Sequence, residues 1–150
     1  MAWSEALRGL AALAAAALLA TGPAHAEADE GTDLVPLDIT VLRVSDEPGE
    51  VDPRVERVDR ILRGQVAYQS LAIVDVHHRD LPVNEIWTFE LPTGRSVELR
   101  PLEVDKTGTL LSLDVEDGLQ GDFRVRPGQP LIVGGVRSGD DKLVLVVESR

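Results

Sequence analysis

The sequence predicts a mainly β (α+β) domain: an antiparallel β-sandwich or barrel-like fold of about seven to eight strands, with one amphipathic helix after the first strand. Short apolar runs recur at intervals of roughly ten residues, and turn-forming Gly, Pro and Asp separate them. One segment alone has the periodicity of an amphipathic helix. It is too short to be stable in isolation, so it must bury its apolar stripe on a sheet.

The first 26 residues predict a secretory signal peptide. The apolar run at 9–20 is too short to cross about 30 Å of hydrocarbon. Ala24 and Ala26 put small residues at the −3 and −1 positions of a cleavage site. We expect cleavage near Ala26, a periplasmic or secreted product, and no membrane span after signal removal. An uncleaved N-terminal anchor is the alternative.

The mature chain is expected to begin with a disordered acidic lead-in, residues 27–35, which carries no apolar pattern. A single β-rich domain is expected over residues 36–150. Its first strand is predicted at Leu37–Val44, where β-branched and polar residues alternate.

Residues 52–63 predict the helix. Asp52 can cap the first turn, and Pro53 suits the first helical position. Gly64 is expected to end the helix in a left-handed conformation. The predicted apolar stripe consists of Val55, Val58, Ile61 and Leu62.

The rest of the chain predicts strands, at residues 68–77, 87–91, 96–104, 111–116, 119–125, 131–133 and 143–147. The turn at 92–95 predicts a hairpin. Pro101 predicts a bulge or an edge position. The five consecutive apolar residues at 143–147 predict a strand that is covered on both faces.

Composition excludes several classes of function. The 150 residues contain no cysteine, which rules out disulfide scaffolds, iron–sulfur and thiolate-zinc sites, and cysteine enzymes. Fifteen Lys and Arg against 26 Asp and Glu give a net charge of −11. Nucleic-acid binding needs clustered cations, so we expect no nucleic-acid partner.

The weak metal-ligand candidates are His77, His78 and Asp80. Neighbouring residues on a strand point to opposite faces, so the two imidazoles should diverge. A zinc site needs three or four converging ligands. We therefore expect no metal and no cofactor, and keep a small-ligand or metal-binding periplasmic protein as the first alternative.

No reactive constellation stands out. The chain has no G-x-S-x-G motif and no phosphate-binding loop. We expect no enzymatic activity and no catalytic residue. A carboxylate-based hydrolase is the second alternative, and it requires two carboxyl groups about 5–10 Å apart in one cleft.

Two features are candidate binding elements. The predicted helix carries four arginines in a strongly acidic chain: Arg54, Arg57, Arg60 and Arg63. They predict either a solvated face held by i,i+4 ion pairs or a docking surface for an acidic partner or a phosphate-bearing glycan. Gly134 and Gly135 predict a bulged strand end at an exposed sheet edge, where a partner strand can add.

The order of a strand, a D-P-R segment with a helix (52–54), a Y-x-S segment (68–70), further strands and a late I-V-G-G (132–135) resembles small exported bacterial proteins of unknown function. Residues 131–135 also resemble a strand end in outer-membrane secretins. That resemblance implies a secretion-related accessory role. The sequence thus predicts an exported, non-catalytic binding or accessory module for another periplasmic or outer-membrane component.

Overall fold

The computed structural model describes residues 33–150. The predicted signal peptide and most of the predicted lead-in lie outside the described residues. Eight strands form two antiparallel four-stranded sheets, in the orders β2-β1-β8-β7 and β3-β4-β5-β6. The strands are β1 Leu34–Ser45, β2 Ser70–Pro82, β3 Trp87–Glu90, β4 Ser96–Asp105, β5 Gly108–Val115, β6 Gln120–Val125, β7 Leu131–Ser138 and β8 Asp141–Ser149.

The two sheets enclose one hydrophobic interior, which confirms the predicted sandwich-like β architecture. Strands of both sheets place every second side chain in this interior, as the period of two requires. Leu37, Ile39 and Leu145 come from the first sheet. Leu99 and Leu113 face them from the second sheet. All of these side chains are almost fully buried.

The predicted helix lies between β1 and β2. A 3₁₀ turn, Pro53–Val55, leads into α1, Glu56–Leu62. The Asp52 carboxylate accepts a hydrogen bond from the Arg54 backbone N–H at 2.9 Å, so this residue caps the first turn as predicted.

The helix covers part of the outer face of the first sheet and forms a second hydrophobic cluster with it. Val55, Val58 and Leu62 contribute the helix side of this cluster. Ile61, predicted to belong to the buried stripe, is instead 38% exposed. The sheet side consists of Leu42, Val44, Leu71, Val144 and Val146.

The strand β8 lies between the two clusters. Leu143, Leu145 and Val147 face the interior, whereas Val144 and Val146 face the helix. The prediction that residues 143–147 are covered on both faces is confirmed. A central strand between a sheet and a helix has no solvent face, and this explains its uninterrupted apolar sequence.

Both predicted irregularities in the sheets are present. The β4–β5 register shifts between Pro101 and Glu103, and the β7–β8 register shifts between Val133 and Val136. β7 is an edge strand, as the Gly134–Gly135 pair predicted. The predicted hairpin at residues 92–95 joins β3 to β4.

Several boundaries differ from the prediction. β2 begins at Ser70 rather than at residue 68, and it continues to Pro82 rather than ending at residue 77. Pairing with β1 holds this polar segment in the sheet, opposite apolar β1 residues such as Leu37 and Ile39. Gly64 is not in the left-handed region, so the predicted helix terminator was wrong. The chain instead leaves the helix through hydrogen bonds from Gln65 and Val66 to the Leu62 carbonyl, both 2.8 Å long.

Candidate functional site: an apolar groove beside an open sheet edge

A groove separates the end of α1 from strands β7 and β8 on the outer face of the first sheet. We call it the α1–β7 groove. Its volume is about 290 Å³. Its walls are largely apolar, with Leu62, Val66 and Tyr68 on the helix side and Val44, Ile132 and Val144 on the floor. Gln65, Gly134, Gly135 and Lys142 complete the rim.

The groove lies where the cover provided by α1 ends. The outer cluster contains buried residues of β1, β2 and β8, whereas β7 contributes only the partly buried Ile132. Ile132 is partly exposed on that side, and Val144 beside it is 5% exposed.

Glycine keeps this end of β7 bare. A Cβ built on Gly134 would meet nothing closer than a Val144 methyl at 3.8 Å, and one on Gly135 would meet nothing within 4 Å. The space above both glycines is therefore empty. Gly135 has a φ of +101°, which a side chain rarely tolerates.

Two cations lie at one end of the groove. Lys142 lines it, and Arg137 lies opposite Lys142 in the β7–β8 register. Both side chains are exposed. Within residues 33–150, neither has a carboxylate within salt-bridge distance. Asp140 and Asp141 lie between the two cations along the chain, and the Asp141 carboxylate contacts Arg43 at 3.8 Å.

A partly buried polar contact holds the helix wall in place. The Tyr68 hydroxyl donates a 2.5 Å hydrogen bond to the Asp59 carboxylate, which also accepts a 3.0 Å ion-pair contact from Arg63. Burial by itself raises the pKa of Asp59, but these two partners outweigh it and hold the pKa below its usual value. Burial and the bond to Asp59 together raise the pKa of Tyr68. The Arg63 guanidinium lies over the Tyr68 ring, 5.2 Å from its centroid.

The four predicted arginines have contacts within the chain. Arg54 pairs with Asp52 at 2.7 Å, Arg60 with Glu56 at 3.4 Å, and Arg63 with Asp59 at 3.0 Å. Arg57 donates to the Gly128 carbonyl, between β6 and β7. The Arg60–Glu56 and Arg63–Asp59 contacts are the i,i+4 ion pairs expected on a solvated helix face, and Arg57 links the helix to the segment between β6 and β7. The arginine docking surface stays a prediction.

The histidines lie on opposite faces of β2. His77 points inward, where its ring centroid is 4.5 Å from that of Phe89 and 5.8 Å from that of Trp87. Its Nε2 lies 3.0 Å from an Asp75 oxygen. That contact does not have hydrogen-bond geometry, so this buried nitrogen has no hydrogen-bond partner within residues 33–150.

His78 points outward, and its Nδ1 lies 2.6 Å from the Asp38 carboxylate. Asp38 also forms an ion pair with Arg150, with 2.8 Å between Nε and the carboxylate oxygen. Asp80 lies two residues further along the same strand and is exposed. The described part of the chain contains no group of three or more His, Asp or Glu side chains placed to hold a metal ion.

Carboxylates do meet on the outer face of the second sheet. Glu98 and Asp114 are opposite each other in the β4–β5 register, and with Ser96 and Glu116 they line an open depression. Hydrogen bonds from the Ser96 backbone and hydroxyl hold the pKa of Glu116 below its usual value. A general acid needs the opposite shift. Glu116 therefore lacks the raised pKa that a general acid needs. The carboxylate-based hydrolase stays an untested alternative.

Comparison with models of known families, with curated proteins and with solved structures finds no match in any of the three. In residues 33–150, no helix has the length and apolarity needed to cross a membrane.

The sequence identified Gly134 and Gly135 but not the groove beside them. The helix side of the groove includes three residues that follow α1, and the sequence assigned them to no feature or to a strand: Gln65, Val66 and Tyr68. The five consecutive apolar residues at 143–147 indicated a covering layer on each face of β8. Nothing in the sequence indicated that the outer layer stops before β7.

Proposed function

We propose that the protein is an exported, non-catalytic binding module of the bacterial envelope, which holds another envelope protein at the α1–β7 groove. Secretion-related accessory work is the role that the sequence resemblances favour. The export part rests on the predicted signal peptide alone. The binding part rests on the groove and on the strand edge next to it.

One observation carries the proposal: an apolar groove opens beside the accessible edge of β7. Apolar surface that a fold leaves exposed is unfavourable in water, so a partner that covers the groove gains free energy. An edge strand offers unpaired backbone N–H and C=O groups to a partner. The two features are adjacent here because Gly134 and Gly135 belong to both.

Site-specific photo-crosslinking in the cells that encode the protein tests this function. A photoreactive residue replaces Gln65, which is exposed on the groove rim, or Thr88, which is exposed on edge strand β3 of the other sheet. We expect a defined adduct in the envelope fraction from position 65 and none from position 88. Within the adduct, the copy of this chain should have the mass of residues 27–150, as expected after removal of the signal peptide.

A blocked groove provides the control. Gly134→Leu places a side chain in the groove at a position where a Cβ has no close contact, and Thr88→Leu adds the same side chain to an exposed edge position elsewhere. The position-65 adduct should disappear with Gly134→Leu and persist with Thr88→Leu. If the Arg57→Glu/Arg60→Glu variant loses the adduct and the Gly134→Leu variant still forms it, the binding surface is the arginine face of the helix and not the groove. An adduct equally strong from both positions contradicts the proposal.

A further inference from the structure

We infer that the occupant of the α1–β7 groove is a short extended segment of a partner protein, in which a large apolar side chain is followed or preceded by Asp or Glu. This inference rests on the proposed function and deepens it. Three properties of the groove define the segment: the adjacent backbone edge, the volume of the apolar space, and the charge at one end.

The backbone edge favours an extended segment. In the described part of the chain, β7 pairs with β8 alone, so its other side is unpaired. The bulge between Val133 and Val136 interrupts that edge. A partner strand can therefore follow Leu131–Val133 for only a few residues before the register breaks. This length fits a short linear segment and disfavours extended sheet-to-sheet association.

The apolar volume fits a side chain. About 290 Å³ is roughly twice the ~150 Å³ cavity that accepts a benzene ring. The groove is at the lower limit of the ~300–1,000 Å³ typical of sites for whole ligands, so the adjacent strand edge, and not the volume, favours a side chain. A leucine or aromatic side chain of an added strand would project over Gly134, where β7 has no side chain of its own, and contact Ile132 and Val144.

The charge at the rim selects acidic neighbours for that side chain. Lys142 and Arg137 are exposed and have no carboxylate partner within residues 33–150. Next to an apolar pocket, a partner Asp or Glu would be held in a partly desolvated ion pair. A segment with Lys or Arg at this position would make the same apolar contacts, but its charge would be repelled by Lys142 and Arg137.

Peptide display tests this chemistry. A library of random 12-residue peptides is selected on immobilised protein comprising residues 27–150, with a Gly134→Leu counter-selection. We expect enrichment of sequences that carry Leu, Ile or Phe next to Asp or Glu. A selected peptide should bind Gly134→Leu at least tenfold more weakly, and Lys142→Glu/Arg137→Glu at least tenfold more weakly. Thr88→Leu should bind it with unchanged affinity.

Each result has one consequence. Enriched basic peptides, enriched peptides that bind Gly134→Leu normally, or no enrichment would overturn the inference. Binding of a free fatty acid in place of any peptide would assign the groove to a lipid ligand and overturn it too. If no acidic peptide is selected but the position-65 adduct still forms in cells, the proposed function stands and the segment chemistry is wrong. If such peptides bind but no adduct forms, the chemistry stands and the cellular function is wrong.

Discussion

At the scale of single residues, Tyr68 and Asp59 set the position of the groove wall. Tyr68 is 8% exposed, and its ring packs in the outer hydrophobic cluster. Its hydroxyl donates to the side chain and to the backbone carbonyl of Asp59, at 2.5 and 3.1 Å. The segment after α1 is thereby attached to the middle of the helix, and the groove wall does not depend on apolar contacts alone.

Tyr68→Phe should keep the packing and lose the hydrogen bonds. We expect the free energy of unfolding to fall by about 1–2 kcal/mol at neutral pH, because the bond to a carboxylate is charge-assisted. The pKa of Asp59 is lowered in the folded state, so its contribution is present above the unfolded pKa of about 4 and is lost as the pH falls through the lower folded value. The difference between wild type and variant should therefore shrink in acid.

Urea unfolding of both proteins between pH 7 and pH 3 checks this prediction. A difference that stays constant over the whole range would show that the Asp59 carboxylate plays no part in it. Ile61→Val serves as a control for packing in the same helix, because Ile61 is exposed and lies outside the cluster. Its effect should be small and independent of pH.

At the scale of elements, the turns decide which strands can pair. Gly108, after the β4–β5 turn, has a φ of +129°. The position that a Cβ would occupy on this residue faces the β6 backbone. A Cβ there would lie 2.3 Å from the Val125 carbonyl oxygen. Gly94, in the β3–β4 turn, also has a positive φ, +81°, but a Cβ there would meet nothing within 4 Å. A substitution at Gly94 therefore tests backbone strain alone, whereas one at Gly108 tests the same kind of strain together with a steric clash.

Gly94→Ala should destabilise the protein by about 1–2 kcal/mol, because alanine must adopt a positive φ. Gly108→Ala carries that strain and a clash with backbone that cannot move without shifting β6. We expect it to cost about 1–3 kcal/mol more. Thermal or urea unfolding of the two variants measures the difference. Equal losses would show that β6 moves aside freely.

The elements also show how far the sequence determined this fold. Period-two patterns, turn residues and the Asp52–Pro53 start were sufficient for the strands and the helix, because each depends on local chemistry. β2 was cut short because Asp75–Asp80 is polar on both faces, and only pairing with β1 keeps it in a sheet. The order of strands, and the groove that follows from it, depend on contacts between distant segments that no local pattern records.

At the scale of the whole molecule, one sheet supports two hydrophobic clusters. The interior cluster joins both sheets and contains side chains such as Leu113, whereas the outer cluster joins only α1 and the chain around Tyr68 to the first sheet. The charges are divided in a similar way. Glu98 and Asp114 lie on the outer face of the second sheet, and Lys142 lies at the groove. The net charge of −11 repels an acidic partner at long range, so the cations at the groove act on such a partner only at short range.

The two clusters should differ in local stability. α1 has seven residues and is covered on one side, so its amides should exchange with solvent through an opening that leaves the sandwich folded. Leu62→Ala should speed exchange in α1 and leave β5 unchanged, and Leu113→Ala should speed exchange in both sheets and in α1. Both leucines are almost fully buried, so each truncation removes comparable packing, about 2–5 kcal/mol. Native-state hydrogen exchange resolved by residue measures these rates. If Leu62→Ala accelerates β5 as much as α1, helix and sandwich unfold as one unit, and the groove cannot widen for a partner without unfolding the protein.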